Sequence, residues 1–111
     1  MIGISTHVLD TSRGQPARGI HVVLERGSGE TWIALGEGTT DGNGRIAQLL
    51  PPSESLAAAE YRLTFHVGEY FKGQQHFYPV VTLQFLVHDP ATHYHVPLLL
   101  SPYGYTTYRG S

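Results

Sequence analysis

Cysteine is absent from the chain, which rules out disulfides, thiol catalysis and cysteine-ligated zinc together. Long apolar runs are absent too: the longest, Val96 to Leu100, contains Pro97 and is far too short to span a bilayer. No run of lysine and arginine occurs and the formal net charge is −2, which argues against a nucleic-acid binder. The opening MIGISTHVLD has neither the basic region nor the apolar stretch of a secretory signal, and the closing Arg109-Gly110-Ser111 is not a peroxisomal Ser-Lys-Leu address. These absences lead us to expect a cytoplasmic protein with no nucleic-acid or membrane partner.

What is present is a single domain's worth of chain: 111 residues, with one expected domain over 1–111. Seven histidines, seven tyrosines and thirteen glycines stand out. Glycine and proline divide the sequence into many short segments, the pattern of an all-β fold. Alternation of apolar and polar residues predicts strands at Ile4–Asp10, Gly19–Glu25, Thr31–Leu35, Tyr61–Val67, Val80–Val87, Thr92–Leu100 and Tyr105–Arg109, with a short one at Arg45–Ala47. Asp41-Gly-Asn-Gly44 is a tight turn; it lacks the carboxylates of a calcium loop. Glu54–Glu60 (ESLAAAE) has helix propensity but is short, and Glu69–Gln75 reads as one or two helical turns. Seven or eight short strands at regular spacing predict a β-sandwich.

Side chains alternate across a strand, so spacing assigns faces. In His93-Tyr-His-Val-Pro-Leu-Leu-Leu100, the residues Tyr94, Val96, Leu98 and Leu100 form a core face, and His93, His95, Pro97 and Leu99 the other. His7 shares a face with Ser5 and Leu9; Tyr108 shares one with Thr106 and Gly110. Three strands can therefore present polar groups away from the core. Spacing alone does not bring those faces together. His21, His66, His76 and His88 fit ordinary surface or satisfied core positions. His93 and His95 also have ligand spacing, and with His7 they offer a three-histidine zinc site as an alternative. Pro97 predicts an edge or a bulge, since proline donates nothing to a ladder.

Ser5-Thr-His-Val-Leu-Asp10, Gly44-Arg45 and the closing HYHVPLLLSPYGYTTYRGS together resemble the 5-hydroxyisourate hydrolases, the transthyretin-related enzymes of urate degradation. The ending Tyr108-Arg-Gly-Ser111 is the signature that separates those hydrolases from transthyretin itself. The resemblance implies a transthyretin-like β-sandwich of two four-stranded sheets with a short helix after the fifth strand. It also implies a homotetramer, a dimer of dimers with a channel between the dimers, and no cofactor or metal. The implied reaction is hydrolysis of 5-hydroxyisourate to 2-oxo-4-hydroxy-4-carboxy-5-ureidoimidazoline. The implied catalytic residues are His7, Arg45, His95 and Ser111, with Tyr108, Arg109 and Gly110 binding substrate. Two histidines suit proton transfer near neutral pH, and a planar cation suits an oxyanion. The alternative is a transthyretin-like carrier of a small ligand, without catalysis.

Overall fold

The computed structural model describes residues 2–111. Nine strands and one helical turn follow in order among them. They are β1 (Gly3–Asp10), β2 (Gln15–Pro16), β3 (His21–Ser28), β4 (Thr31–Thr39), β5 (Arg45–Ile46), β6 (Ala59–Phe65), α1 (Val67–Tyr70), β7 (Val81–Val87), β8 (His93–Ser101) and β9 (Gly104–Thr107). One sheet has the order β4-β3-β6-β7. The other has the order β2-β1-β8-β9, with β5 also paired to β1. The second sheet thus has five strands rather than four, the extra one being the two-residue β2.

The layers pack through the alternate residues that the sequence pattern marks. Val22 and Leu24 of β3, Tyr61, Leu63 and Phe65 of β6, and Val81 and Leu83 of β7 are buried from one side. Ile4 and Val8 of β1 and Tyr94, Val96, Leu98 and Leu100 of β8 meet them from the other. Burying each large side chain contributes about 1.5–3 kcal/mol, which fixes which face of each strand points inward. The buried threonines are hydrogen-bonded to backbone groups. Thr6 donates its hydroxyl to the Val96 carbonyl at 2.6 Å, and Thr40 donates to the Ala17 carbonyl at 2.7 Å while accepting from the Ile20 amide.

Several expectations change. ESLAAAE, too short to be counted as a helix, forms none: its first residues are irregular around the buried Leu56, and Ala59 and Glu60 open β6. The helical turn sits earlier than expected, at Val67–Tyr70, where the Tyr70 hydroxyl donates to Asp10 at 2.8 Å. β4 runs on to Thr39 past Gly36 and Gly38, and a bulge between Leu24 and Glu25 absorbs the irregularity. The final strand ends at Thr107, short of Arg109, followed by one isolated bridge between His95 and Gly110.

Pro97 lies in an interior strand, neither at an edge nor at a bulge. Its position is still explained by its missing N–H. Continuing the Leu98–Thr107 and His95–Gly110 register puts Pro97 opposite Tyr108. The Gly110 amide donates to the His95 carbonyl, so by alternation the Pro97 nitrogen faces the same segment. The ladder therefore breaks at Pro97, and the Thr107 hydroxyl donates to the Pro97 carbonyl at 2.8 Å instead.

The turn that delivers Arg45 gives a direct test. Gly44 has φ +73°, and a β-carbon there would collide with the Val8 carbonyl, whereas one at Gly42 would meet open space. Gly44→Ala should cost about 1–3 kcal/mol in urea unfolding, and Gly42→Ala no more than about 0.5 kcal/mol. Equal midpoints for the two variants would refute this reading of the turn.

Candidate active site

Strand register assembles the site. In the parallel β1–β8 ladder, Gly3 pairs with His93, Ser5 with His95 and His7 with Pro97. On the other side of β1, His7 pairs with Arg45, and His95 is bridged to Gly110. Cross-strand partners point to the same side of a sheet. Ser5, His7, Arg45, His93, His95 and Gly110 therefore share the outer face, while Ile4, Thr6 and Val96 point into the core.

Short contacts hold this face in place. The Ser5 hydroxyl oxygen lies 2.7 Å from His93 Nε2 and 2.8 Å from His95 Nδ1, bridging the two rings. On the far side, a β-carbon at Gly110 would sit 2.5 Å from His95 Cδ2 and 3.3 Å from Pro97 Cγ, so only glycine lets the backbone lie against that ring. Arg45 is set by the turn before it: one Asp41 carboxylate oxygen accepts from the Asn43 amide at 2.8 Å and the Arg45 amide at 3.0 Å. Arg45 itself is exposed and makes no ion pair among the described residues.

The electrostatics follow from crowding. Burial lowers the pKa of His95, and the positive charges of Arg45, His7 and His93 lower it further. Burial lowers His93 as well. Asp41 is held below the usual carboxylate range by the Arg45 and Asn43 amides, then by the charges of Arg45 and His7. Beside these groups opens a cavity of about 420 Å³ lined by Ser5, Asp41, Arg45, His93, His95 and Ser111.

Of the residues singled out in the sequence, Arg45, His95 and Ser111 line this cavity together. His7 stands beside Arg45 in the ladder, close enough for its charge to act on His95. Gly110 supports the His95 ring. Tyr108 and Arg109 border a second cavity, of about 210 Å³, with Leu83, Phe85, Leu86 and His95, so that His95 stands at both cavities. The Arg109 guanidinium sits 4.5 Å over the Tyr94 ring. No group of three His, Asp or Glu among the described residues has metal-binding geometry, so the three-histidine alternative is not assembled. Sequence reasoning missed Ser5 as a functional residue. Its one signal was the shared face with His7; its meeting with His95 depends on a strand pairing that spacing does not reveal.

A model of the HIUase/Transthyretin family matches residues 4–110. The chain is 48% identical over 114 residues to "5-hydroxyisourate hydrolase" of Deinococcus radiodurans, covering 98% of this chain and 96% of that one. Among solved structures, it matches the 5-hydroxyisourate hydrolase of Klebsiella pneumoniae at TM-score 0.83 and 35% identity, over 97% of this chain and 98% of that one. It matches sea bream transthyretin in complex with thyroxine at TM-score 0.87 and 29% identity, over 96% and 93% of the two chains.

The depressed His95 pKa has a testable sign. The unfolded chain, with histidine near about 6.5, binds the proton at a pH where folded His95 does not. His95 therefore favours the folded state above that value and ceases to do so as pH falls through its folded pKa. Titration of the His95 ring by NMR should give a midpoint below about 6.5, and Arg45→Gln should move it upward by removing one positive neighbour. A midpoint indifferent to Arg45 would mean that the two groups do not share a field.

Proposed function

The chain belongs to the HIUase/Transthyretin family, and from that premise we propose that it hydrolyses 5-hydroxyisourate, in the cytoplasm, as a step of urate degradation. The observation that carries this reading is the convergence of Arg45, His95 and Ser111 on one cavity, with His7 beside them. The extended identity to a protein of that name supports it.

Hydrolysis of a cyclic amide requires water to attack the carbonyl carbon, the carbonyl oxygen to take up negative charge, and the ring C–N bond to break with a proton passing to nitrogen. One of His7 and His95 takes the water's proton, and the other donates, to the oxyanion or to the departing nitrogen. A neutral imidazole is available at working pH, and the lowered pKa keeps His95 in that form. Arg45 supplies a fixed positive charge for the developing oxyanion, with a planar fork that engages two oxygens. Ser111 lies at the cavity wall, where its hydroxyl can orient the substrate. A carrier of the transthyretin kind is the second reading, favoured by the likeness to a thyroxine-binding structure. The two histidines and the arginine on one face weigh against it, because an apolar aromatic ligand has no use for them.

We further propose a dimer of dimers. β7 and β9 each end a sheet, and exposed apolar groups mark that border: Leu86 is 57% exposed and Tyr108 56%. Open edges with apolar cover are natural seats for a second copy. Light scattering at micromolar concentration should give four times the chain mass; an active monomer would rule this out.

His7→Ala and His95→Ala should each lower turnover by about a hundred- to ten-thousand-fold with folding intact. Arg45→Lys should be nearly as damaging as Arg45→Ala, since lysine keeps the charge and loses the fork. The assay follows the absorbance of freshly generated 5-hydroxyisourate against its spontaneous decay. Near-normal turnover in the lysine variant would assign Arg45 to solvated surface.

A further inference from the structure

Ser5 sits between two imidazoles, and its hydroxyl carries one hydrogen. That scarcity fixes the protons around it. His93 Nε2 lies 2.7 Å from the oxygen on one side and His95 Nδ1 2.8 Å on the other. The other ring nitrogen of His93, Nδ1, is buried with no hydrogen-bond partner; it is the one such buried side-chain atom among the described residues. Burial lowers the pKa of both rings, so each is neutral near pH 7 and carries one proton.

Three arrangements satisfy the distances. If His93 carried its proton on Nδ1, a buried N–H would be orphaned, which native proteins rarely tolerate. If both rings donated to Ser5, the serine's own hydrogen would have no acceptor. In the third, His93 Nε2–H donates to the Ser5 oxygen, and the Ser5 hydroxyl donates to a bare His95 Nδ1. That arrangement satisfies every N–H and O–H and leaves only a lone pair unmatched, at His93 Nδ1. Neutral His95 must then hold its proton on Nε2. That nitrogen is not among the buried unpartnered atoms, and His95 lines the cavity.

We propose that His93 and Ser5 are positioning residues that lock His95 in its Nε2–H tautomer, so that His95 meets the substrate as a hydrogen-bond donor and His7 is the base. The inference rests on the hydrolase reading for its consequence, not for the tautomer. An imidazole protonated on Nε2 has no lone pair there to take a proton from water. It donates instead to the carbonyl oxygen that becomes the oxyanion, alongside Arg45. Among the described residues no hydrogen bond joins His7 to the Ser5 bridge, so its tautomer is not fixed by it. His7 faces the same side, takes the water's proton and passes it to the ring nitrogen as the C–N bond breaks.

Nitrogen-15 NMR of histidine-labelled protein reads the tautomer of His95 in the resting state, without substrate. The wild type should show the Nε2–H form near pH 7. Ser5→Ala removes the bridge, and His93→Phe keeps a ring of similar shape without the donor. Both should erode that preference and lower kcat by about ten- to a hundred-fold with KM little changed. Ser5→Thr, which retains the hydroxyl, should restore both. A wild-type His95 protonated on Nδ1, or a tautomer unmoved in both variants, would overturn the proposal. The wild-type spectrum decides the point even if a variant fails to fold. Absence of hydrolysis by wild-type protein would refute the functional reading and leave the tautomer assignment to stand or fall on its own spectrum.

Discussion

The parallel pairing of β1 with β8 is the contact on which the site depends, because it converts two separate sequence patterns into one surface. Ser5 meets His95 and His7 meets Pro97 through that ladder, and β5 adds Arg45 from the opposite side of β1. The side-chain period of a strand is two, so a slip of one residue would turn Ser5 and His7 into the core and Ile4, Thr6 and Val8 out to solvent. Burial of Ile4, Val8, Tyr94, Val96, Leu98 and Leu100 forbids it. The Thr6 hydroxyl on the Val96 carbonyl adds a bond that only this register allows. The polar face is thus positioned by the apolar one beneath it.

His95 is the most constrained group on that face. Ser5 holds its Nδ1, its carbonyl receives the Gly110 amide, and the absence of a side chain at Gly110 gives the ring its space. The ladder interruption at Pro97 serves the same end. By removing a backbone bond between β8 and the terminal segment, it lets Tyr108 and Arg109 leave regular pairing before Gly110 returns to His95. Crowding of positive groups around this ring has a chemical consequence as well. Burial, the charge of Arg45, and His7 and His93 whenever they are protonated favour neutral imidazole, the form that either donates or accepts a single proton.

Legibility in the sequence tracks the range of the interaction involved. Alternation in Tyr61–Val67 located β6 within two residues at either end, because a period of two is a local property. The Asp41-Gly-Asn-Gly44 turn was legible for the same reason: its bonds run from Asp41 to residues at most four positions away. ESLAAAE was equivocal because helix propensity is local while the burial of Leu56 and the entry of Ala59 and Glu60 into β6 are tertiary facts. The outward faces of His7 and His95 were legible, but which residues meet there was not. The Ser5–His95 contact joins residues 90 positions apart, and nothing in either segment announces its partner. Arg109 shows the same limit: the ending marked it with its neighbours, but its stacking over the Tyr94 ring joins segments that do not announce each other.

The likeness to a thyroxine complex and to a hydrolase at nearly equal TM-score separates fold from chemistry. A sandwich with an outer sheet face open to a cavity accommodates either a passive ligand or a reacting one. What distinguishes them is whether the face stores unmatched polarity. Apolar binding is served by a quiet surface, with every donor and acceptor satisfied. Here the cavity wall carries an exposed guanidinium that makes no ion pair among the described residues, and two imidazoles whose surroundings favour the neutral form. Such groups contribute little to folding when exposed, and their desolvation opposes it when buried. Their alignment on one register-fixed face is therefore better explained by the charge that develops on a reacting carbonyl than by stability, and it is this alignment, not the sandwich, that argues for hydrolysis.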